Sequence, residues 1–201
     1  MKALIKKKYK DMDIQELVKL SQHDDYNALE ELIRREQKNV YASFYYLDPH
    51  REDLLDLTQE VLLKMSRGIK SLRNPKMFKS WLGQIVSNLF YDQLRKKKRS
   101  PDMVSIDVSW EENHKGCPIL ELHDSKAKPE EHTMGNELND IIVEMISKLP
   151  DHFKFVIVLR EIQGLSYEEI AKITHTNVGT VKSRIARARN KLQECLKPYI
   201  I

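Results

Sequence analysis

Residues Leu165 to Leu192 read LSYEEIAKITHTNVGTVKSRIARARNKL, which spells two short helices meeting at a tight turn. Ser166 followed by Glu169 is a capping-box start, in which hydroxyl and carboxylate each satisfy an orphan backbone donor, so a helix opens at Ser166. It stops near Ile173, because Thr174, His175, Thr176 and Asn177 are weak helix formers and Asn177 is a good cap for a second helix. In that second helix Val178, Val181, Ile185, Ala188 and Leu192 fall at spacings of three and four and form one buried seam. The remaining faces carry Thr180, Lys182, Ser183, Arg184, Arg187 and Arg189. A helix that offers hydroxyls and guanidiniums, with no carboxylate before Glu194, suits the major groove, where Arg pairs with guanine and Ser or Thr bonds to several bases. An ordinary solvated helix would mix charge signs in i, i+4 pairs. Between Lys172 and Lys197 there are seven basic residues to one acidic, so nucleic-acid binding is the better reading.

Working outward, helical periodicity also runs through Leu138, Ile141, Met145 and Leu149, stops at Pro150, and resumes through Phe155, Leu159 and Ile162 before Gly164. Residues 137–201 thus form a second domain of about four helices, a size at which a small core still folds alone. Upstream, from Ile14 to Arg99, the pattern is again nearly continuous, broken at Tyr46–Arg51 and Gly68–Pro75. Residues 14–100 read as one helical domain, preceded by a basic tail at 1–13. Between them, 101–136 contains Pro101, Pro118, Pro129, Gly116 and Gly135, and reads as a flexible acidic linker. No alternating strand pattern or Asn-Gly hairpin signal interrupts this all-α reading.

In the first domain, Leu54, Leu57, Val61 and Met65 make a buried stripe, and Asp53, Asp56 and Glu60 fall on the opposite side. Solvation alone explains such carboxylates. The exposed Leu63 and adjacent Gln59 instead point to a docking face for a basic partner. The helix from Phe78 to Arg99 buries Phe78, Trp81, Leu82, Ile85 and Leu89, and sets Asn88, Asp92, Arg95 and Arg99 along one flank. It ends in the cations Arg95, Lys96, Lys97, Lys98 and Arg99. Such a run suits a helix C-terminus on electrostatic grounds alone, but beside a second DNA-reading element it reads as a phosphate contact.

Cys117 and Cys195 lie far apart with no CxxC, which fits a reducing compartment. The absence of a signal-peptide pattern and of any membrane-length apolar run leads to a cytoplasmic expectation. The net charge of +4 is modest, so its distribution matters more than its size. No phosphate-cradling glycine loop, nucleophile elbow or HExxH occurs, so no enzyme, cofactor or small-molecule substrate is expected. His114, Cys117, His123 and His132 in the linker match no common zinc spacing, so no metal site is expected either.

Three stretches, DLTQEVLLKM at Asp56–Met65, FKSWLGQIVSNLFYDQLRKKKR at Phe78–Arg99 and LPDHFKFVIVLREIQGLSYEEIAKITHTNVGTVKSRIARAR at Leu149–Arg189, together resemble the sigma factors of bacterial RNA polymerase. The short extracytoplasmic-function (ECF) group, which retains only sigma regions 2 and 4, is the nearest likeness. The resemblance implies a subunit that binds core polymerase, beta-prime and beta included, and directs transcription from particular promoters in a stress or envelope response. It implies that Asp56, Gln59 and Glu60, with Asp53 and Leu63 beside them, dock on the clamp coiled coil of the largest subunit. It places Asn88 and Asp92 toward the minus-ten element, Arg95 to Arg99 on upstream phosphates, and Lys70, Arg73 and Lys76 on a loop that captures a flipped base. Lys182, Ser183, Arg184 and Arg187 match the residues that read the minus-thirty-five element, with Thr180 and Arg189 on the same helix. An anti-sigma factor is implied as a further partner, one that in many relatives holds the sigma factor at the membrane.

Three departures stand out: His175 occupies the usual position of a turn glycine, Leu62 replaces a common Phe, and the linker is long for the group. Two other readings remain open at this stage. A free-standing helix-turn-helix regulator would bind promoter DNA alone, without need of the acidic helix, and a metal-dependent DNA-processing enzyme would use the linker His and Cys residues.

Overall fold

Asp13, Asp25, Ser166 and Asn177 each begin a helix by accepting hydrogen bonds from the first free backbone N–H groups. The computed structural model describes residues 9–99 and 134–197. Among these, α1 spans Ile14–Gln22, α2 Tyr26–Leu47, α3 Leu54–Gly68 and α4 Phe78–Arg99. They are followed by α5 Met134–Ser147, α6 Asp151–Glu161, α7 Tyr167–Ile173 and α8 Val178–Leu196. Two single 3-10 turns, Ile69–Ser71 and Pro75–Met77, connect α3 to α4. The described residues contain no strand, and the all-α reading of two helical domains holds.

Sequence punctuation explains most of the boundaries. α2 ends at Leu47, just before Asp48-Pro49, since the residue preceding a proline avoids the helical region. One break is missing from the sequence reading, at His23–Asp25. There Asp24 takes a left-handed φ of 64°, and Asp25 caps α2 through Asn27 N and Ala28 N. Two outer bounds also differ. α5 begins at Met134, inside the stretch read as linker, because a glycine in the first turn puts few helical hydrogen bonds at risk. Residues 9–13, read as tail, are tied to the first domain: the Arg35 guanidinium donates to the carbonyls of Tyr9, Lys10 and Met12 at 2.8–2.9 Å.

Arg35 is held in turn by Glu31, a buried carboxylate that also receives two hydrogen bonds from Arg34 at 2.7 and 2.8 Å. Arg34 foremost, with Arg35, outweighs burial and holds the Glu31 pKa at about 2, below its ordinary 4.5. The folded chain therefore binds this proton less tightly than the unfolded chain. The stability contributed is complete above the ordinary glutamate value and drains away as pH falls toward about 2. Glu31→Gln is expected to flatten the fall of Tm over that acid window, as read by thermal unfolding at stepped pH.

Buried side chains of the two domains form one continuous cluster, from Leu17 and Phe44 through Phe78 and Leu82 to Phe155, Leu165 and Ile185. The domains, expected as separate bodies on a tether, pack directly on one another. Phe90 of α4 stacks on Phe155 of α6 with centroids 5.4 Å apart and planes 2° from parallel, and Tyr91 tilts against the same ring at 5.0 Å. Gln163 donates a buried 2.7 Å hydrogen bond to Ser43 of α2. Tyr46 and His50 reach Asn139 and Glu144 of α5 at 2.8 and 3.0 Å. Neither domain alone shows this pairing in its periodicity, because Phe90 and Phe155 read equally well as core of their own helices.

Candidate nucleic-acid and polymerase interface

In α7 the Ser166 hydroxyl accepts from Glu169 N at 3.2 Å, and the Glu169 carboxylate accepts from Ser166 N at 2.8 Å, completing the capping box. The turn runs from Thr174 to Asn177, with His175 at φ 52°. Histidine tolerates this region better than most non-glycine residues, so the substitution for glycine keeps the turn. Asn177 Oδ1 accepts from Thr180 N at 2.7 Å and starts α8. Val181, Ile185 and Ala188 are buried, with Val178 and Leu192 half-buried at the ends of the seam. Ser166→Ala removes one half of the box and is expected to destabilise the second domain by about 1 kcal/mol in urea unfolding.

The outward side of α8 presents Lys182, Ser183 and Arg187 as exposed side chains, with Thr180 and Arg184 half-buried. Lys182 Nζ lies 5.8 Å from the Tyr167 ring centroid, and Arg160 covers the same ring at 4.8 Å while donating to Leu165 O. These contacts fix α7 against α8. Arg189 is set apart from the others, because its guanidinium is engaged by Glu161 of α6 at 2.6 Å. The Arg184 charge opposes the burial that raises the Tyr91 pKa, and adds to the burial that lowers that of His152.

On α4, Asn88, Asp92, Arg95 and Lys96 are exposed along one flank, with Gln84 donating to Asn88 at 2.9 Å and Arg95 paired to Asp92 at 2.9 Å. α4 runs on through Lys97, Lys98 and Arg99, whose side chains lie outside the described residues. Phe78, Leu82, Val86, Leu89 and Phe90 are buried, while Trp81 and Ile85 are only half-buried. The connecting segment exposes Lys70, Arg73 and Lys76. It is fastened from α1 by Gln22, whose amide donates to Ile69 O and Leu72 O at 3.0 and 2.6 Å, while Lys70 pairs with Asp24.

α3 buries Leu54, Leu57, Thr58, Val61, Leu62 and Met65, so Leu62 takes the core place of the bulkier aromatic. Its outer arc carries Asp56 and Gln59 exposed, with Glu60 paired to Lys64 at 2.8 Å. Asp53 is clamped by Arg51 through two 2.7 Å bonds, which hold its carboxyl below the usual range. Leu63 is 53% exposed, and Leu55, which the sequence reading did not single out, is 63% exposed. Leu55, Gln59 and Leu63 follow at intervals of four and so share a face beside Asp56 and Glu60. That off-stripe spacing was the available signal. Two exposed leucines flanked by carboxylates form an amphipathic surface suited to a basic helical partner.

The linker residues His114, Cys117, His123 and His132 lie outside the described residues; among those described, no group of three or more His, Cys, Asp or Glu could hold a metal ion. No described helix is long and apolar enough to cross a membrane.

Known proteins match both halves of this arrangement. Residues 32–100 match sigma-70 region 2 and residues 139–192 match sigma-70 region 4. The chain is 36% identical over 186 residues to the ECF RNA polymerase sigma-E factor of Haemophilus influenzae, covering 92% of this chain and 96% of that protein. It is 35% identical over 187 residues to the sigma-E factor of Escherichia coli, covering 92% and 95%. Among solved structures, the sigma factor RpoE of Bartonella quintana, in complex with the anti-sigma factor NepR, superposes with a TM-score of 0.63 at 27% identity, over 84% of this chain and 96% of that one. CnrH in complex with the cytosolic domain of CnrY shares the fold, with a TM-score of 0.61 at 20% identity, over 92% and 97%. A free-standing helix-turn-helix regulator leaves the match in region 2 unexplained, and sigma factors are initiation factors rather than enzymes. With both regions present in order and near full-length likeness to sigma-E, the chain belongs to the ECF group of the sigma-70 family.

Proposed function

We propose that this sigma factor docks on core polymerase through the α3 arc of Leu55, Asp56, Gln59, Glu60 and Leu63, with Asp53 at its edge. The loop of Lys70, Arg73 and Lys76 then meets the melted strand, and α4 meets the minus-ten element through Asn88 and Asp92 and the adjoining phosphates through Arg95 to Arg99. α8 reads the minus-thirty-five element through Thr180, Lys182, Ser183, Arg184 and Arg187. Arg189 joins them only after leaving Glu161, so its part is the smallest. The observation that carries this reading is the α3 arc itself: two exposed leucines beside carboxylates, set apart from the exposed cations Arg95 and Lys96 of α4 and Lys182 and Arg187 of α8. Run-off transcription with purified core polymerase tests it. Promoter-specific transcripts are expected only when the chain is added, and their absence with active core would overturn the proposal.

The same reading places the protein in the cytoplasm, in a stress response, under an anti-sigma factor that covers both domains. Support for the inhibitor comes from a relative solved in complex with one, and from an apolar groove on the second domain lined by Ile142, Ile157, Leu192 and Leu196, with Tyr46 of the first domain at its edge. Recovery of no inhibitory protein by pull-down from unstressed cells, with the intact chain constitutively active, would overturn that part.

A further inference from the structure

Arg189 differs from Lys182 and Arg187 of the same helix in what its charge already meets. It follows Lys182 by two helical turns less about 20°, so the two side chains leave nearly the same side of α8. Lys182 is exposed, whereas Arg189 Nε and Nη2 donate to Glu161 at 3.2 and 2.6 Å. Both bonds end on one carboxylate oxygen, Oε1. Glu161 closes α6, and Tyr167 at the start of α7 also lies beside this guanidinium. Arg189 is 53% exposed and Glu161 49%, so the pair is open to an incoming anion.

Position along the helix decides which part of DNA this arginine meets. The first turns of a recognition helix lie over base edges. Arg189 stands about 10 Å beyond Lys182 along the axis, and the major groove is only about 12 Å wide. With α8 in the groove, a guanidinium at that station faces the bordering strand, where phosphates give affinity without sequence information. A guanidinium binds most strongly when two parallel N–H groups meet two oxygens, as on a phosphate. Glu161 offers one oxygen, in an exposed pair of the weakly held kind. The carboxylate and a phosphate are thus alternative partners for one cation.

We propose that Glu161 is a positioning residue that holds Arg189 off the phosphate at the edge of the groove, and so limits the strength of the upstream promoter contact. The proposal rests on the assignment of α8 to the minus-thirty-five element. It adds a residue of α6, outside the helix-turn-helix, that sets affinity without touching DNA. Loss of Glu161 frees one cation for one phosphate, which should strengthen binding about two- to fivefold and steepen the slope of log K against log salt by up to about 0.9. The gain is the same at every promoter, because a phosphate contact does not read bases.

The test uses holoenzyme formed from the full chain, titrated at several salt concentrations against duplexes selected from a promoter library with the unsubstituted protein. Glu161→Ala, Arg189→Ala and the two combined complete a double-mutant cycle. Glu161→Ala is expected to give the full gain where Arg189 is present and at most a minor part of it where Arg189 is replaced, with the salt slope rising only in the first case. Glu161→Gln keeps the volume and drops the charge, and stands in if Glu161→Ala fails to give a cooperatively melting protein. No gain from either variant would overturn the proposal. So would equal gains with and without Arg189, the mark of a carboxylate that only repels DNA. A loss for Arg189→Ala as large as that for Arg187→Ala would overturn it too, since Arg189 would then already lie on the DNA. Arg187→Ala separates the two readings: it is expected to weaken binding whether or not Glu161 is present. If it does not, the groove assignment of α8 fails and this proposal with it; if it does, and Glu161 and Arg189 show no coupling, the proposal alone falls.

Discussion

Asp56→Lys combined with Glu60→Lys should abolish holoenzyme formation while leaving helix content and Tm near those of the unsubstituted protein. Both side chains lie on the outer arc of α3, Asp56 exposed and Glu60 tied only to its neighbour Lys64, so neither holds the fold together. An exposed i, i+4 pair of this kind is worth about 0.3–0.5 kcal/mol. The effect on binding is much larger. Reversing two charges replaces attraction to a basic partner with repulsion, and like charges brought together at an interface cost several kcal/mol. Leu55→Ala with Leu63→Ala should weaken the same interaction more mildly and with little salt dependence, because it removes apolar area and leaves charge alone. Co-purification with core polymerase at two ionic strengths reads both. Undiminished binding of the charge-reversed variant at low salt would remove α3 from the docking surface.

Helix punctuation was legible in the sequence because it is local chemistry. Ser166 with Glu169, Asn177 as a cap, and His175 as a residue that tolerates positive φ each act within a few residues, and each appears as expected. The break at Asp24 escaped notice because His23-Asp24-Asp25 carries neither glycine nor proline, and its left-handed turn rests on a residue that adopts it less often than those two punctuate chains. Leu55 escaped for a different reason. Beside Leu54 it reads as part of one apolar run, and only the fold shows that the pair straddles the boundary between core and surface. The domain seam was the least legible feature. Phe90, Phe155 and Leu165 sit at core-like spacings, and periodicity states that a residue is buried without stating against which partner. Gly83 pointed that way, since a glycine inside a helical pattern costs about 1 kcal/mol relative to Ala and calls for a packing reason. That reason is the approach of Leu165 and Ile173 from the other domain.

The two helices proposed to meet DNA, α4 and α8, should respond differently to the loss of a cation. Arg187 is exposed on the recognition helix, its neighbours Lys182 and Ser183 are exposed with it, and no ion pair holds it among the described residues. A guanidinium so placed is free to bond bidentately to a guanine edge, and Arg187→Ala should cost about 1–3 kcal/mol, or roughly 5- to 150-fold in promoter affinity, at promoters that carry the preferred base. At promoters lacking that base the loss should be small, so the ranking of promoters compresses at one upstream position. Lys96→Ala on α4 should act otherwise. An exposed lysine near the end of a basic helix neutralises phosphate, which carries no sequence information, so its removal should weaken every promoter alike and reduce the slope of log K against log salt by about 0.9. Holoenzyme binding across a promoter library, measured for both variants at several salt concentrations, separates the two. A uniform loss for Arg187→Ala would show that α8 positions the protein on the backbone at that residue and reads the upstream element elsewhere along its length.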